Sequence, residues 1–243
     1  MNLCINGKKA FWVTLTAIFT ALCVLFVYLT AISYECVAEQ AAVLNVVESP
    51  CIIIDAGHGG EDGGASSGNG MLEKEVNLSI ALYLKEMLTL SGFHVTLTRE
   101  TDEDLADKTL STIRERKISD LHNRTDLIES TPNAILVSIH QNSFSEPQYS
   151  GAQIFYSPNH EKSSILAEAI ESQIASLVQP ENTRKSKPAE DSIYILRNAT
   201  CPAILVECGF LSNPTEAEKL SSEAYRKQMA FSIYCGLLDY LAN

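Results

Sequence analysis

The pattern that most constrains this chain is an alternation of short apolar runs with longer segments of helical periodicity from residue 50 onward. Strands that alternate with helices are typical of an α/β domain, in which helices cover both faces of a mostly parallel sheet. We therefore predict a single domain of this class, with a mostly parallel central sheet flanked by helices on both faces. The predicted strands are 51–54, 93–98, 134–139, 152–156 and 203–206.

Apolar residues recur at helical spacing in four further segments of this domain. We predict helices at 76–91, 163–177, 215–220 and 223–241. The polar segment 102–126 is interpreted as a loop followed by a helix. A polar, proline-containing segment at 179–192 is interpreted as a loop.

An apolar run without a charged residue, 10–33, lies close to the N-terminus. Lys8 and Lys9 precede it, acidic residues follow it, and about 20 apolar residues suffice to span a bilayer as a helix. We predict a cytoplasmic stub and single-pass signal-anchor at 1–34, a linker at 35–49 and an extracytoplasmic domain at 50–243. The alternative is a cleaved signal peptide and a secreted protein, because small residues at 31 and 33 form a potential cleavage site.

The formal net charge of −12 restricts the classes of partner. A nucleic-acid-binding protein needs a basic surface, so no nucleic-acid partner is predicted. An anionic substrate would have to be recognised in a local cleft, because the protein as a whole does not attract it. The seven cysteines form no CxxC pair, so the sequence does not predict a cysteine-based structural zinc site.

Polar side chains with metal-binding or acid–base chemistry follow three of the apolar runs. His58, His140 and Glu207 each lie at the carboxyl end of a predicted strand, and Glu73 begins the first predicted helix. Because ligand sites of open α/β sheets lie at the carboxyl ends of the strands, we expect these side chains to lie together. Two imidazoles and one carboxylate form a common catalytic zinc set, and a second carboxylate can act as general base. The residues thus suggest His58, Glu73 and His140 as zinc ligands and Glu207 as the base.

The residue pattern by itself leaves alternatives open. Glu75 is a rival ligand on the same helical turn as Glu73, and Glu73 could be only a favourable charge near a helix N-terminus. Asp55 could brace the loop of His58, and we favour a supporting role behind the ligands. The helical HExxH motif of another class of zinc hydrolase is absent from the sequence.

Four blocks of the sequence resemble one known family when they are taken in order. They are IIIDAGHGGEDGGA, LEKEVNL, SIHQNSF and ILVECGFLSNPTEAEKL, and the resemblance extends over about residues 51–242. The chain is similar to the zinc-dependent N-acetylmuramoyl-L-alanine amidases of the amidase-3 type. The resemblance implies hydrolysis of the amide bond between N-acetylmuramic acid and L-alanine in peptidoglycan. It also implies that His58, Glu73 and His140 bind one Zn²⁺ ion and that Glu207 is catalytic.

The same resemblance selects among the alternatives. Glu73 matches the family motif better than Glu75, because Glu73 is followed directly by lysine and four residues later by asparagine. Arg124 also matches the family, and we expect it to form a buried or loop-anchoring ion pair. Asn142 and Arg197 lie near the expected edge of the cleft and are candidates for substrate contact.

The combination of an anchor with a catalytic domain that lacks wall-binding repeats is most similar to sporulation members of the family. Those members prepare spore cortex peptidoglycan for muramic lactam formation, which implies a role in sporulation and germination. In some spore formers such an enzyme depends on an activating lipoprotein, which is therefore a candidate partner. The alternatives are a vegetative amidase of cell separation or wall turnover, another zinc hydrolase of the wall, and a metal-free wall-binding module.

Overall fold

The computed structural model describes residues 12, 20, 24–28 and 49–242, and the chain divides into the units 1–48 and 49–243. In the first unit, the described residues are helical. Among the described residues of the whole chain, no helix is both long enough and apolar enough to cross a bilayer. Most of the predicted anchor and nearly all of the predicted linker lie outside the described residues.

Within residues 49–242, six strands form one sheet in the order β2–β1–β3–β6–β4–β5. Strands β2, β1, β3 and β6 are parallel neighbours, whereas β4 runs antiparallel to β6 and parallel to β5. The strands are β1 (Cys51–Ala56), β2 (His94–Leu97), β3 (Ala134–Asn142), β4 (Gln153–Tyr156), β5 (Lys187–Pro188) and β6 (Ala203–Phe210).

The helices of the same range lie between or after these strands. They are α1 (Glu73–Leu90), α2 (Ile113–Glu129), α3 (Lys162–Leu177), α4 (Tyr194–Asn198), α5 (Pro214–Ser221) and α6 (Glu223–Leu241). Local sequence fixes where two of them begin. The Thr112 side chain caps α2 in a reciprocal pair with Glu115, and the Asn213 side chain accepts the first main-chain N–H groups of α5.

Strand β1 shows why the central strands appear in the sequence as continuous apolar runs. Ile52 and Ile54 belong to the apolar cluster formed with α1, α3 and α6, whereas Ile53 belongs to the cluster on the other face with α2 and α4. All three side chains are fully buried. Because successive strand residues point to opposite faces, a strand covered on both faces has no solvent-facing position, and a polar side chain such as Asp55 needs a buried partner. Burial of each isoleucine side chain stabilises the fold by roughly 1.5–3 kcal/mol.

The structure confirms the predicted α/β class, with a mostly parallel sheet and helices on both faces. Two short elements, β5 and α4, were not predicted, because two and five residues are too few to show a periodicity. Strands β3 and β6 continue beyond their apolar runs to Asn142 and Phe210. Main-chain pairing does not require apolar side chains, so His140 and Glu207 lie within strands and not at their tips.

Candidate active site

Two histidines and one glutamate converge at the carboxyl end of the parallel strands. His58 follows β1, Glu73 is the first residue of α1 and His140 lies near the end of β3. Nε2 of His58 is 3.2 Å from Oε2 of Glu73, and Nδ1 of His140 is 2.9 Å from Oε1 of the same carboxylate. One potential ligand atom from each residue lies within 4.8 Å of the other two. The fold thus brings together the three side chains that the sequence suggested as metal ligands.

The carboxylate of Glu73 is buried and held by several donors. Its Oε2 accepts the N–H of Ala65 at 2.8 Å, and its Oε1 accepts the N–H of Gln141 at 3.1 Å and Nδ2 of Asn77 at 3.3 Å. Burial by itself raises the pKa of Glu73, but hydrogen bonds with His140 and His58 outweigh it and hold that pKa far below its ordinary value. Glu73 is therefore an ionised group of fixed orientation between the two imidazoles.

His58 is oriented by a carboxylate in its own loop. Its backbone is left-handed, with φ of 62°, and its Nδ1 lies 2.9 Å from Oδ2 of Asp62. A carboxylate at Nδ1 favours a proton on that nitrogen, so Nε2, which faces Glu73, is the atom that a metal ion would take. Burial lowers the pKa of His58, but Asp62 and Glu73 outweigh it and raise the pKa to about 9. Lys117 of α2, 2.8 Å from Oδ1 of Asp62, holds that carboxylate in turn.

A buried ion pair beneath this loop fixes the main chain of His58. Nη1 of Arg124 donates to Oδ1 of Asp55 at 2.6 Å, and Nη2 donates to the carbonyl of His58 at 2.7 Å. Asp55 also accepts hydrogen bonds from Thr98 and Ser138. Burial raises the pKa of Asp55, but the charges of Arg124 and His140 and the hydrogen bonds from Ser138 and Arg124 together outweigh it and lower the pKa to about 2. The ion pair expected for Arg124 is confirmed, and Asp55 supports the loop through it.

Two glycines allow the ligand side chains to approach the loop closely. A Cβ on Gly57 would overlap the imidazole of His140, and a Cβ on Gly64, where φ is 67°, would lie 2.5 Å from Oε2 of Glu73. The carbonyl of Gly57 accepts Nδ2 of Asn77 at 3.1 Å. Glycine at positions 57 and 64 is thus required by the space that the side chains of His140 and Glu73 occupy.

Glu207 lies on β6 directly beside His140 of β3, since the two residues are paired in the parallel register. Its Oε2 atom is buried and has no hydrogen-bond partner among the described residues. Burial raises the pKa of Glu207 to about 7, against the opposing charge of His140. A carboxyl group that exchanges a proton near neutral pH, beside a set of candidate metal ligands, suits general acid–base chemistry.

Comparison with known proteins identifies the family that has this arrangement. Residues 52–239 match the family model Amidase_3, described as N-acetylmuramoyl-L-alanine amidase. The chain belongs to this amidase family. The germination-specific N-acetylmuramoyl-L-alanine amidase of Bacillus subtilis (strain 168) is 38% identical over 192 residues, which cover 79% of this chain and 80% of the relative. The resemblance inferred from the four sequence blocks is confirmed, and the chain is a peptidoglycan amidase.

Solved structures support the same assignment. The CwlD amidase from Clostridioides difficile, solved in complex with the GerS lipoprotein, has a TM-score of 0.77 and 39% sequence identity, and the match covers 79% of this chain and 98% of that one. An N-acetylmuramoyl-L-alanine amidase of Nostoc punctiforme has a TM-score of 0.67 and 30% identity, with 80% and 98% of the two chains covered.

Asn142 and Arg197, the other two residues predicted for this amidase site, lie in different parts of the fold. Asn142 ends β3 two residues after His140, and its carbonyl accepts the N–H of Leu211 at 2.8 Å. Arg197 is exposed on α4, and its carbonyl accepts Nδ2 of Asn159, which lies beyond the end of β4. No contact within the described part of the chain links the Arg197 side chain to the ligand cluster. Substrate contact by either residue stays a prediction.

Sequence reasoning overlooked the contacts that three residues make with the candidate metal ligands of the amidase. Asp62 lies four residues after His58 and forms a hydrogen bond with it. Asn77 lies four residues after Glu73 and donates a hydrogen bond to it. On α1 this spacing places Asn77 on the same face as Glu73, a signal that the sequence did contain. Gln141 binds Glu73 through its main chain and Asn77 through its side chain. That contact depends on how β3 packs against α1 and left no local signal.

Proposed function

We propose that this amidase binds one zinc ion through His58, Glu73 and His140 and hydrolyses the bond between N-acetylmuramic acid and L-alanine. The observation that carries the proposal is the convergence of these ligand atoms within 4.8 Å, beside the unpartnered buried oxygen of Glu207. Two imidazoles and one carboxylate form a donor set well suited to zinc. His58 approaches one oxygen of Glu73 at 3.2 Å and His140 approaches the other at 2.9 Å, so the carboxylate lies between the two imidazoles and all three side chains would be able to hold one ion.

Different residues of the chain have different roles in the proposed reaction. Bound at this set, zinc would supply the Lewis acidity that activates a water molecule and polarises the scissile carbonyl. Glu207 accepts a proton from the attacking water and transfers it to the amine of L-alanine as that group leaves. Asp62 keeps Nδ1 of His58 protonated so that Nε2 faces the cation. The products are a glycan with a free lactyl carboxylate and a stem peptide with L-alanine at its N-terminus.

Metal analysis and product analysis of the purified full-length protein test this proposal together. We expect one zinc per chain, and mass spectrometry of digested peptidoglycan should show intact glycan and free stem peptides that begin with L-alanine. Glu73→Gln should lose zinc, whereas Glu75→Gln on the same helical turn should retain it. Cleavage within the stem peptide, or release of acetate from the glycan, would contradict the amidase reaction and indicate a different wall hydrolase.

The similarity to a germination-specific amidase supports a more specific role. We propose that the physiological substrate is spore cortex peptidoglycan and that the reaction precedes muramic lactam formation. Deletion of the gene in its own organism should yield spores whose cortex lacks muramic lactam and which germinate poorly. A normal cortex together with chained vegetative cells would instead indicate a role in cell separation.

We also propose that the catalytic domain is extracytoplasmic and attached to the membrane by an N-terminal helix. The described residues 24–28 support this proposal, because they are helical and their large apolar side chains are exposed. Protease added to intact protoplasts should digest the domain, and the anchored protein should keep its N-terminal sequence. Release into the medium with a new N-terminus near residue 34 would indicate a cleaved signal peptide.

A lipoprotein is the partner class that we propose, because the similar CwlD amidase was solved with one. Affinity purification of the full-length protein from sporulating cells, after cross-linking, should recover a lipoprotein. The purified lipoprotein should increase zinc-dependent turnover. Full turnover without any added protein would argue against a requirement for this partner.

A further inference from the structure

A cavity of about 630 Å³ opens beside the carboxyl end of β6. Its wall is formed by residues just before β4, by the loop after α3 and by the first turns of α5. Cavities of about 300–1,000 Å³ are typical of small-molecule sites. Gly151 of this wall lies two residues before Gln153, which is paired with Glu207 across β4 and β6. The wall therefore begins about 7 Å along the chain from Gln153, the β4 residue that is paired with the proposed catalytic Glu207.

The loop that carries Arg184 into this cavity is fixed to the sheet by two amide side chains. Gln179 accepts the N–H of Ala152 at 2.7 Å and donates to the carbonyl of Cys208 at 3.0 Å. Asn182 donates to the carbonyl of Ala152 at 2.9 Å. These bonds connect the loop both to the start of β4 and to β6, so the loop is positioned before any ligand binds.

Arg184 itself is held in place but keeps donors available. Its Cζ lies 4.9 Å from the ring centroid of Phe210 and 6.0 Å from that of Tyr149. Its Nε donates to the carbonyl of Ser150 at 2.8 Å. Neither Nη atom has a hydrogen-bond or ion-pair partner among the residues that the structure describes. A planar guanidinium that is fixed in this way suits a carboxylate, which it can bind through two parallel hydrogen bonds.

Arg184 is the positive charge of fixed position in this cavity, because none of the other charged side chains described there pairs with it. Glu216 is buried, and its two oxygens accept the main-chain N–H groups of Gly151 at 2.9 Å and Phe210 at 2.8 Å. Glu181 and Lys219 are exposed, and neither forms an ion pair within the described residues. The buried carboxylate is thus occupied by the main chain and does not neutralise the guanidinium by direct contact.

We propose that this cavity is a subsite for the stem peptide and that Arg184 binds a free carboxylate on a residue beyond L-alanine. This inference rests on the proposed amidase reaction. Because the net charge of the protein is −12, an anionic peptide needs a local cation for attraction. An extended peptide advances about 3.3–3.6 Å per residue. A stem whose first amide lies at Glu207 therefore reaches the cavity with its next two or three residues, and Arg184 determines specificity without taking part in the chemistry.

Two synthetic muramoyl tripeptides test the subsite: one has free carboxylates, and in the other every carboxylate is a carboxamide. The wild-type protein should cleave the free acid with a kcat/KM about tenfold to a hundredfold higher, mainly through a lower KM. Arg184→Gln should lose this preference, mainly through a higher KM for the free acid. Arg114→Gln removes the same charge from an exposed position on α2 and should keep the preference. Arg184→Lys keeps the charge without the planar fork and should retain part of the preference.

The possible outcomes distinguish failure of the proposed subsite from failure of the proposed reaction. Equal cleavage of the two peptides by the wild type, or an unchanged preference in Arg184→Gln, would overturn the subsite and leave the amidase reaction intact. Calorimetric binding of both peptides to the zinc-loaded Glu207→Gln variant gives the same comparison without turnover. If the free acid binds more tightly there while the wild type cleaves neither peptide even with the proposed lipoprotein added, the subsite stands and the proposed reaction is contradicted.

Discussion

Gly57 is packed so closely against His140 that any side chain on the glycine would occupy the space of the imidazole ring. The N–H of Gly57 also donates to the carbonyl of Ile139 at 3.1 Å, which holds the end of β1 against β3 at this point. The ring can therefore keep its position only if the residue after β1 lacks a Cβ.

Gly57→Ala should displace His140 and weaken zinc binding. Overpacking of a close contact costs about 1–3 kcal/mol, and a misplaced ligand should lower zinc affinity by roughly tenfold to a hundredfold. Zinc affinity is measured by competition with a chromophoric chelator, and circular dichroism verifies the fold. Gly68→Ala in the same loop is the control, because no atom lies within 4 Å of a Cβ at that position. Equal zinc affinity in both variants would contradict the packing explanation.

Asp62→Asn should also weaken zinc binding, but without a steric change. The carboxylate that favours a proton on Nδ1 of His58 is lost, so the ring no longer presents Nε2 reliably. We expect zinc affinity to fall by about tenfold to a hundredfold. Glu61→Gln is the matched control, because Glu61 pairs with Arg116 at the surface and does not contact His58. An Asp62→Asn protein with wild-type affinity would show that Asp62 does not orient the ligand.

Glu207→Gln should separate metal binding from catalysis. The amide has nearly the same shape but cannot accept a proton, so kcat should fall by about 10²–10⁴-fold while the zinc content remains one per chain. Single-turnover cleavage of a muramoyl peptide and elemental analysis of the same preparation measure the two quantities. Loss of zinc along with activity would place Glu207 among the ligands and contradict its role as the base.

Glu207 leads to a second prediction, which concerns the metal-free protein. Burial raises its pKa from 4.5 to about 7, so between these pH values the folded state keeps a proton that the unfolded state releases. Stability therefore falls as pH rises through this range, by at most about 3 kcal/mol above pH 7. In the presence of EDTA, Glu207→Gln should have a higher Tm than the wild type at pH 8 and a similar Tm at pH 4. A difference that does not vary with pH would refute this assignment.

Removal of Arg124 should destabilise the protein much more than removal of a surface cation. Arg124→Met leaves Asp55 buried without its partner, which costs about 3–5 kcal/mol. Lys85→Met, which breaks an exposed pair with Glu100, should cost less than about 1 kcal/mol. Because the folded-state pKa of Asp55 is lowered from 3.8 to about 2, its stabilisation is complete above about pH 4 and is lost as pH falls through 2. Urea denaturation of the three proteins at pH 7 and pH 3 measures both effects.

The fold class could be predicted from the sequence because the hydrophobic periodicity of each helix or strand is local. The fully buried Ile52–Ile54 run indicates a strand covered on both faces, and the Thr112–Glu115 pair marks a helix start, without knowledge of any partner. The candidate ligands were also accessible from the sequence, since carboxyl ends of parallel strands meet at one edge of the sheet. The blocks around them then distinguished Glu73 from Glu75. The membrane anchor was inferred from composition in the same way and stays a prediction.

Only the tertiary structure decided which atoms face each other. Glu73 and His140 are 67 residues apart, and their contact depends on the register of β1 with β3 and on the packing of α1 above both. The same applies to Arg184, whose position beside Phe210 follows from side-chain amides that fix an irregular loop to β4 and β6. Such contacts form between segments that are distant along the chain and leave no periodic trace in either segment. For that reason the sequence by itself determined the elements and the candidate ligands, whereas the fold determined the orientation of the ligands and the cavity beside them.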